Sequence, residues 1–285
     1  MSRRNSGRTG RKQVKDSPSP VATTATALDP LHFVAPTEFV ELPSRGMGYP
    51  EGHALFENDV LEIRFMTAKD EDILTSATLL KKGVAIDRFL QNVIVDKSIR
   101  VNDLLIGDKN AILIAARASG YGNLYETQVT CPACGTKNNL TFDLNETNVS
   151  ESKVDPELGI TNTTDGTFMV SMPYTKFSVE VRLLTGEDEQ QLAQSTAAKK
   201  KNKLQETAMT DQYKKMIASV NGHRDPSTLS RYIDNMPLMD ARHLRLAYKL
   251  VAPNVEIKET LTCSSCDHQQ EVDVPFGADF FWPDR

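Results

Sequence analysis

Val129-Thr130-Cys131-Pro132-Ala133-Cys134 and Leu261-Thr262-Cys263-Ser264-Ser265-Cys266 repeat one pattern, an apolar residue and a threonine leading into a CxxC pair. Each pair sits between strand-like stretches. Residues 125–130 precede the first pair and Leu140, Phe142 and Leu144 follow it; residues 255–262 precede the second, and Val272, Val274 and Phe276 follow. Both spell strand, tight turn, strand. A CxxC at a hairpin tip aims two thiolates at one point and leaves half a tetrahedron empty, so two such knuckles complete a closed Cys₄ site. The chain has four cysteines in all. Cys131, Cys134, Cys263 and Cys266 are therefore expected to ligate one structural zinc ion (Zn2+) in a zinc-ribbon-like site and to do no catalysis. The alternatives are two vicinal disulfide or redox pairs, or incidental cysteines. A thioredoxin-like pair stands at a helix N-terminus, which stabilises the thiolate, and neither pair has that context.

The repetition extends outward from the cysteines. Leu61-Glu62-Ile63-Arg64-Phe65-Met66-Thr67-Ala68-Lys69-Asp70-Glu71 aligns with Val179-Glu180-Val181-Arg182-Leu183-Leu184-Thr185-Gly186-Glu187-Asp188-Glu189. A proline with an apolar neighbour stands upstream of each, Leu42-Pro43 and Met172-Pro173, and the run Asp108–Ala118 aligns with Asp240–Leu250. Four matches in one order predict an internal duplication of a strand–helical layer–knuckle unit, an α+β fold. The domains are then a basic N-terminal arm (1–38), a first repeat (39–145), a connector (146–171) and a second repeat (172–285). Extra length in the second repeat is placed at the lysine-rich stretch Ala197–Lys203.

Local patterns support that organisation. Leu61, Ile63 and Phe65 alternate with Glu62 and Arg64, as do Phe177, Val179, Val181 and Leu183 with their neighbours, giving strands with one buried face. Thr67 and Asp70 have capping-box spacing, and Ile73, Ala77 and Leu80 predict one helix stopped at Lys81-Lys82-Gly83. Further helices are expected around Ile86–Val93, Asp108–Ser119, Glu187–Ala198, Leu204–Val220 and Met239–Val251.

Composition excludes several classes. At 39% hydrophobic and 25% charged residues, the chain is an ordinary globular one with no membrane-span-length apolar run. With no apolar stretch after the first basic residues, no secretory signal is expected, and a reducing host cytoplasm disfavours disulfides. Residues 1–17 carry six basic side chains and one acidic; the rest carries net −10 within a total of −5. The first 35–40 residues, rich in Ser, Thr, Pro and Ala, are expected to be disordered: a solubilising tail, or a grip on acidic surfaces. The acidic body argues against a nucleic-acid-binding domain. His268 reads as a turn residue and His243 as a packed one, while His32, His53 and His223 have no evident partner. Asp70-Glu71 and Asp188-Glu189 read as helix-start acids. GxSxG, GxxxxGK[ST] and HExxH are absent, so no enzyme is expected.

The order Leu42-Pro43-Ser44-Arg45-Gly46, Tyr49-Pro50, Leu61-Glu62-Ile63-Arg64, Gly107-Asp108-Lys109, Gly120-Tyr121-Gly122 and Cys131-Pro132-Ala133-Cys134-Gly135 resembles the T-even (T4-like) bacteriophage baseplate hub subunit and hub assembly family. The resemblance is close over about 40–145 and looser beyond; CSSC departs from it in lacking the proline and glycine of the first knuckle. It implies a virion structural or tail assembly protein of a contractile tail, assembled in the host cytoplasm and acting in the baseplate. Its partners would be other tail proteins in a symmetric assembly, with the arm and Phe280-Phe281-Trp282 as candidate contacts; the alternative for those aromatics is packing on the protein's own hairpins. The competing function is a zinc-ribbon nucleic-acid-binding or transcription-type factor gripping through the arm.

Overall fold

The chain is described by a computed structural model over residues 35–281, except 206, 275 and 277. The arm up to residue 34, and Trp282, lie outside these. The first half contains β1 (Thr37–Glu41), β2 (Val60–Arg64), α1 (Ala68–Thr75), α2 (Ala77–Lys82), α3 (Ala85–Val93), α4 (Ile106–Tyr121), β3 (Leu124–Thr130) and β4 (Lys137–Asp143). Then follow β5 (Asn148–Ser150), β6 (Ile160–Asn162), β7 (Phe168–Ser171), β8 (Ser178–Val181), α5 (Gly186–Lys201), α6 (Ala208–Met216), β9 (Ile217–Val220), α7 (Pro226–Asp234), α8 (Leu238–Val251), β10 (Asn254–Glu256), β11 (Lys258–Thr262) and β12 (Gln269–Asp273). The fold is α+β.

All strand pairs are antiparallel: β1 with β2, β3 with β4, β5 with β10, β11 with β12, and a sheet ordered β6-β7-β8-β9. Each strand read from alternation lies at the middle of such an arrangement. On its far side β2 meets Ile94, through an Ile63–Ile94 bridge, while β8 meets β9 with Val181 opposite Ile217.

At the end of each of these strands an arginine folds back onto the next helix. Arg64 makes a two-pronged ion pair with Asp70 (2.6 and 2.8 Å), and Arg182 does the same with Asp188 (2.7 and 2.8 Å). Each aspartate also accepts from the backbone N–H of Thr67 or Thr185, completing a capping box. Burial alone would raise the Asp70 pKa, but Arg64, Thr67 and Asn92 outweigh it and hold it at about 2. The capping box expected at Thr67 and Asp70 is present, and both acids, read as helix-start charges, are also buried partners of an arginine between strand and helix.

Several expectations change in detail. The single helix expected through Ile73, Ala77 and Leu80 is broken at Ser76, which is extended (ψ 108°) and accepts the Leu80 N–H. The helix expected over Leu204–Val220 ends at Met216, because Ile217–Val220 is drawn into the sheet beside β8. Residues 146–171, read as a connector, hold β5, β6 and β7. The lysine-rich stretch Ala197–Lys203 forms the last turn of α5 and the turn that follows it. Phe280 and Phe281 are fully buried, so they are internal packing and not neighbour contacts.

The apolar core is one cluster drawing on both halves. Into it packs α4, whose middle turn Ala111–Ile114 is apolar on every side and buried, as is Ala116. Its first turn meets the second half at very close range: a Cβ on Gly107 would stand 2.0 Å from the Pro253 carbonyl oxygen. Around that point Ile106 N–H donates to Leu184 O (3.1 Å), Gly186 N–H donates to Leu104 O (2.8 Å), and Lys109 Nζ bridges Asp87 and Glu189 (2.7 Å each). Near its last turn, Arg117, fully buried, donates to Phe280 O (2.8 Å) and lies over the Tyr121, Tyr125 and Phe280 rings.

Two outcomes follow. Gly107→Ala forces helix and backbone apart and should cost about 3 kcal/mol or more, read as a lower Tm. Because Asp70 is held below its ordinary 3.8, its contribution of about 2 kcal/mol is complete above about pH 4 and is lost as pH falls toward about 2. In Asp70→Asn, urea titrations across that window should lack this share of the acid destabilisation.

Candidate metal centre

The hairpins β3–β4 and β11–β12 bring all four sequence-identified cysteines to one point, and their sulfurs lie within 4.8 Å of one another. Cys131 and Cys263 are buried at the base of the turns, and Cys134 and Cys266 are exposed at the tips. The close pairs cross between hairpins: Cys131 Sγ is 3.8 Å from Cys266 Sγ and Cys134 Sγ is 3.5 Å from Cys263 Sγ. Tetrahedral coordination with Zn–S bonds of about 2.3 Å needs sulfurs about 3.8 Å apart. The donor set therefore fits a tetrahedral thiolate-binding cation in both distance and number.

The turns are built alike. Cys131 N–H donates to Thr136 O (2.8 Å) and Gly135 N–H to Cys131 O (2.9 Å); Cys263 N–H donates to His268 O (2.9 Å) and Asp267 N–H to Cys263 O (3.1 Å). Each turn needs a left-handed residue after its second cysteine. Gly135 supplies it at φ +75° and Asp267 at φ +53°, aspartate being among the side chains that tolerate this region. The missing glycine of the second knuckle thus leaves the turn intact. His268 takes part through its backbone carbonyl, while the His243 ring meets Leu158 O (3.0 Å). His53, which had no evident partner in sequence, stacks on Tyr49 with ring centroids 4.7 Å apart.

Asn138 is the residue the motif did not reveal. Buried on β4, it accepts from Ser264 N–H and Oγ (2.9 Å each), and its amide nitrogen donates to Thr136 O (3.0 Å) and reaches 3.7 Å from Cys263 Sγ. One side chain thereby ties the two knuckles together and orients a candidate ligand. Its only signal in sequence is an amide four residues after Cys134.

The backbone N–H of Ser265, 3.4 Å from Cys263 Sγ, leads the donors that hold this thiol at about 6, below the usual cysteine range. Cys134 is also lowered, first by Thr136. At Cys266 the His268 backbone favours the thiolate, but Cys134, burial and the other sulfurs together push the thiol up to about 12. Four thiols this close oppose one another's ionisation, and a divalent cation at their centre removes that opposition.

A family model described as T4 bacteriophage base plate protein matches residues 36–282. No curated protein and no solved structure matches the chain.

Proposed function

The chain belongs to the T4 bacteriophage base plate protein family, which puts it in the tail baseplate of the virion, and from that premise we propose that it is a non-enzymatic hub component or hub-assembly factor of a contractile tail, clasped by one structural zinc ion. The family match carries the role, since it spans nearly all of the described residues. The arrangement of Cys131, Cys134, Cys263 and Cys266 supports the clasp. These cysteines come from hairpins 129 and 135 residues apart in sequence, so a metal closes a long loop and restricts the unfolded chain strongly. Zinc suits an all-thiolate site with no open position, and such sites contribute folding free energy directly. Its partners are the other proteins of the tail, in a symmetric assembly.

We read the two halves, 39–145 and 172–285, as copies of one unit, with 1–38 as an arm and 146–171 between the copies. Matching contacts support this. The Arg64–Asp70–Thr67 and Arg182–Asp188–Thr185 networks have the same form, and the knuckle turns close with the same bonds. Asp108 accepts from Ser44 N–H (3.0 Å) and its hydroxyl (2.6 Å), as Asp240 accepts from Tyr174 N–H (2.8 Å) and the Thr175 hydroxyl (2.7 Å).

The test uses cysteine variants of the full chain. Purified protein should be colourless and carry one zinc per chain; iron in the same four thiolates would colour it. Cys134→Ser and Cys266→Ser should lose the metal and lower Tm by similar amounts, and phage carrying either change should be deficient in complete tails. If either variant keeps its zinc and its Tm, the clasp is wrong; if tails assemble normally without this chain, the baseplate role is wrong.

A further inference from the structure

The close joint between the halves has a counterpart that is left open. In the joint, Ile106 and Gly107 at the start of α4 meet Leu184 and Pro253 of the second half. The register that places Asp108 opposite Asp240 puts Leu238 and Met239 at the positions of Ile106 and Gly107. There, at the start of α8, Leu238 is 78% exposed and Met239 68%. Tyr174, whose N–H is held by Asp240, is 68% exposed beside them. Among the described residues no backbone carbonyl meets Leu238 N–H as Leu184 O meets Ile106 N–H. Three large apolar side chains grouped around one buried carboxylate form a patch, not scattered exposure.

The other side of the joint also recurs unmated. By the same registers, Leu184 corresponds to Met66, and Pro253-Asn254 to Tyr121-Gly122. Met66 packs against Gly120, where a Cβ would stand 2.5 Å from its sulfur, so these residues share one surface. On it Tyr121 is exposed and Leu124 is 62% exposed.

Resting on the duplication read above, we propose that this protein associates with a second copy of itself head to tail. The face of Tyr174, Leu238 and Met239 on one copy docks on the face of Met66, Tyr121 and Leu124 on the next. Side-chain volume is exchanged across the contact. Internally, Gly107 yields to Pro253; between copies the longer Met239 meets Tyr121-Gly122 at a wider spacing, with room beside Gly122, around whose Cβ position nothing lies within 4 Å. Charge is complementary too. Exposed Lys176 and Arg242 flank the first face, and exposed Glu71 stands close enough to Tyr121 to act on its hydroxyl. Such a contact is heterologous, so it builds a ring if the rotation closes and a row if it does not.

Sedimentation velocity of the full metal-loaded chain over a concentration series tests this. The wild type should associate as concentration rises. Leu238→Asp and Leu124→Asp, each at an exposed position and checked for an unchanged Tm, should both sediment as monomers. Mixed together they should form a one-to-one dimer, because each keeps one intact face. A wild type that stays monomeric overturns self-docking while leaving untouched the zinc clasp and the baseplate role, which the cysteine variants and tail assembly read separately. If Leu124→Asp still associates while Leu238→Asp does not, or if the mixed variants remain monomeric, the faces do not pair as the repeat requires. The head-to-tail contact is then wrong together with the repeat register that suggested it.

Discussion

A helix whose middle turn is apolar on every side has to be covered on every side, and α4, through Ala111–Ile114, sets this condition for the described residues. Neither half can meet it alone. The first half supplies α3 and the β1–β2 pair, while the second brings β10 and the segment at Leu184 against the first turn. The backbone approach at Gly107 brings the two halves closer than side chains would allow. Lys109 shows the same dependence in charge. Burial disfavours the ammonium, yet Asp87 from one half and Glu189 from the other together hold its pKa above the ordinary value. Removing one acid from a buried charge costs more than the pair gains, so the two halves are coupled electrostatically as well as by packing.

Within each half, the repeated arginine–aspartate pair does similar work at a smaller scale. A strand that must turn directly into a helix leaves helix N–H groups without partners. The threonine hydroxyl and the aspartate of a capping box meet that need, and the arginine neutralises the aspartate so that it can be buried. The geometry of the strand-to-helix corner is therefore set by side chains that are polar but inside.

Two further contacts join segments that are distant in sequence. The two knuckles bring segments from opposite halves together through four sulfurs and the Asn138 brace. The residues after the second hairpin return to the first half, where Phe281 packs edge-on against Phe89 (5.0 Å) and Phe280 against Tyr125 (5.0 Å), under the fully buried Arg117. A guanidinium can lie inside here because aromatic faces and a carbonyl oxygen receive it.

Much of this is legible in the sequence itself. The CxxC pairs, their hairpin context and the recurrence of Glu-x-Arg…Thr-x-x-Asp are local signals, and local chemistry was enough to read the α+β class and to name the four cysteines. What could not be read were relations between segments distant in sequence. Asn138 looks like any polar strand residue until Ser264 is placed beside it, 126 positions away. Ile217–Val220 continues a helical pattern until β8 offers an edge to pair with. Phe280 and Phe281 read either as neighbour contacts or as packing on the chain's own hairpins until the pocket around Arg117 exists to bury them. Periodicity and turn chemistry are properties of neighbouring residues and survive in a linear string. Burial, and the identity of the partner that satisfies a polar group, belong to the packed chain and are decided only when it closes on itself.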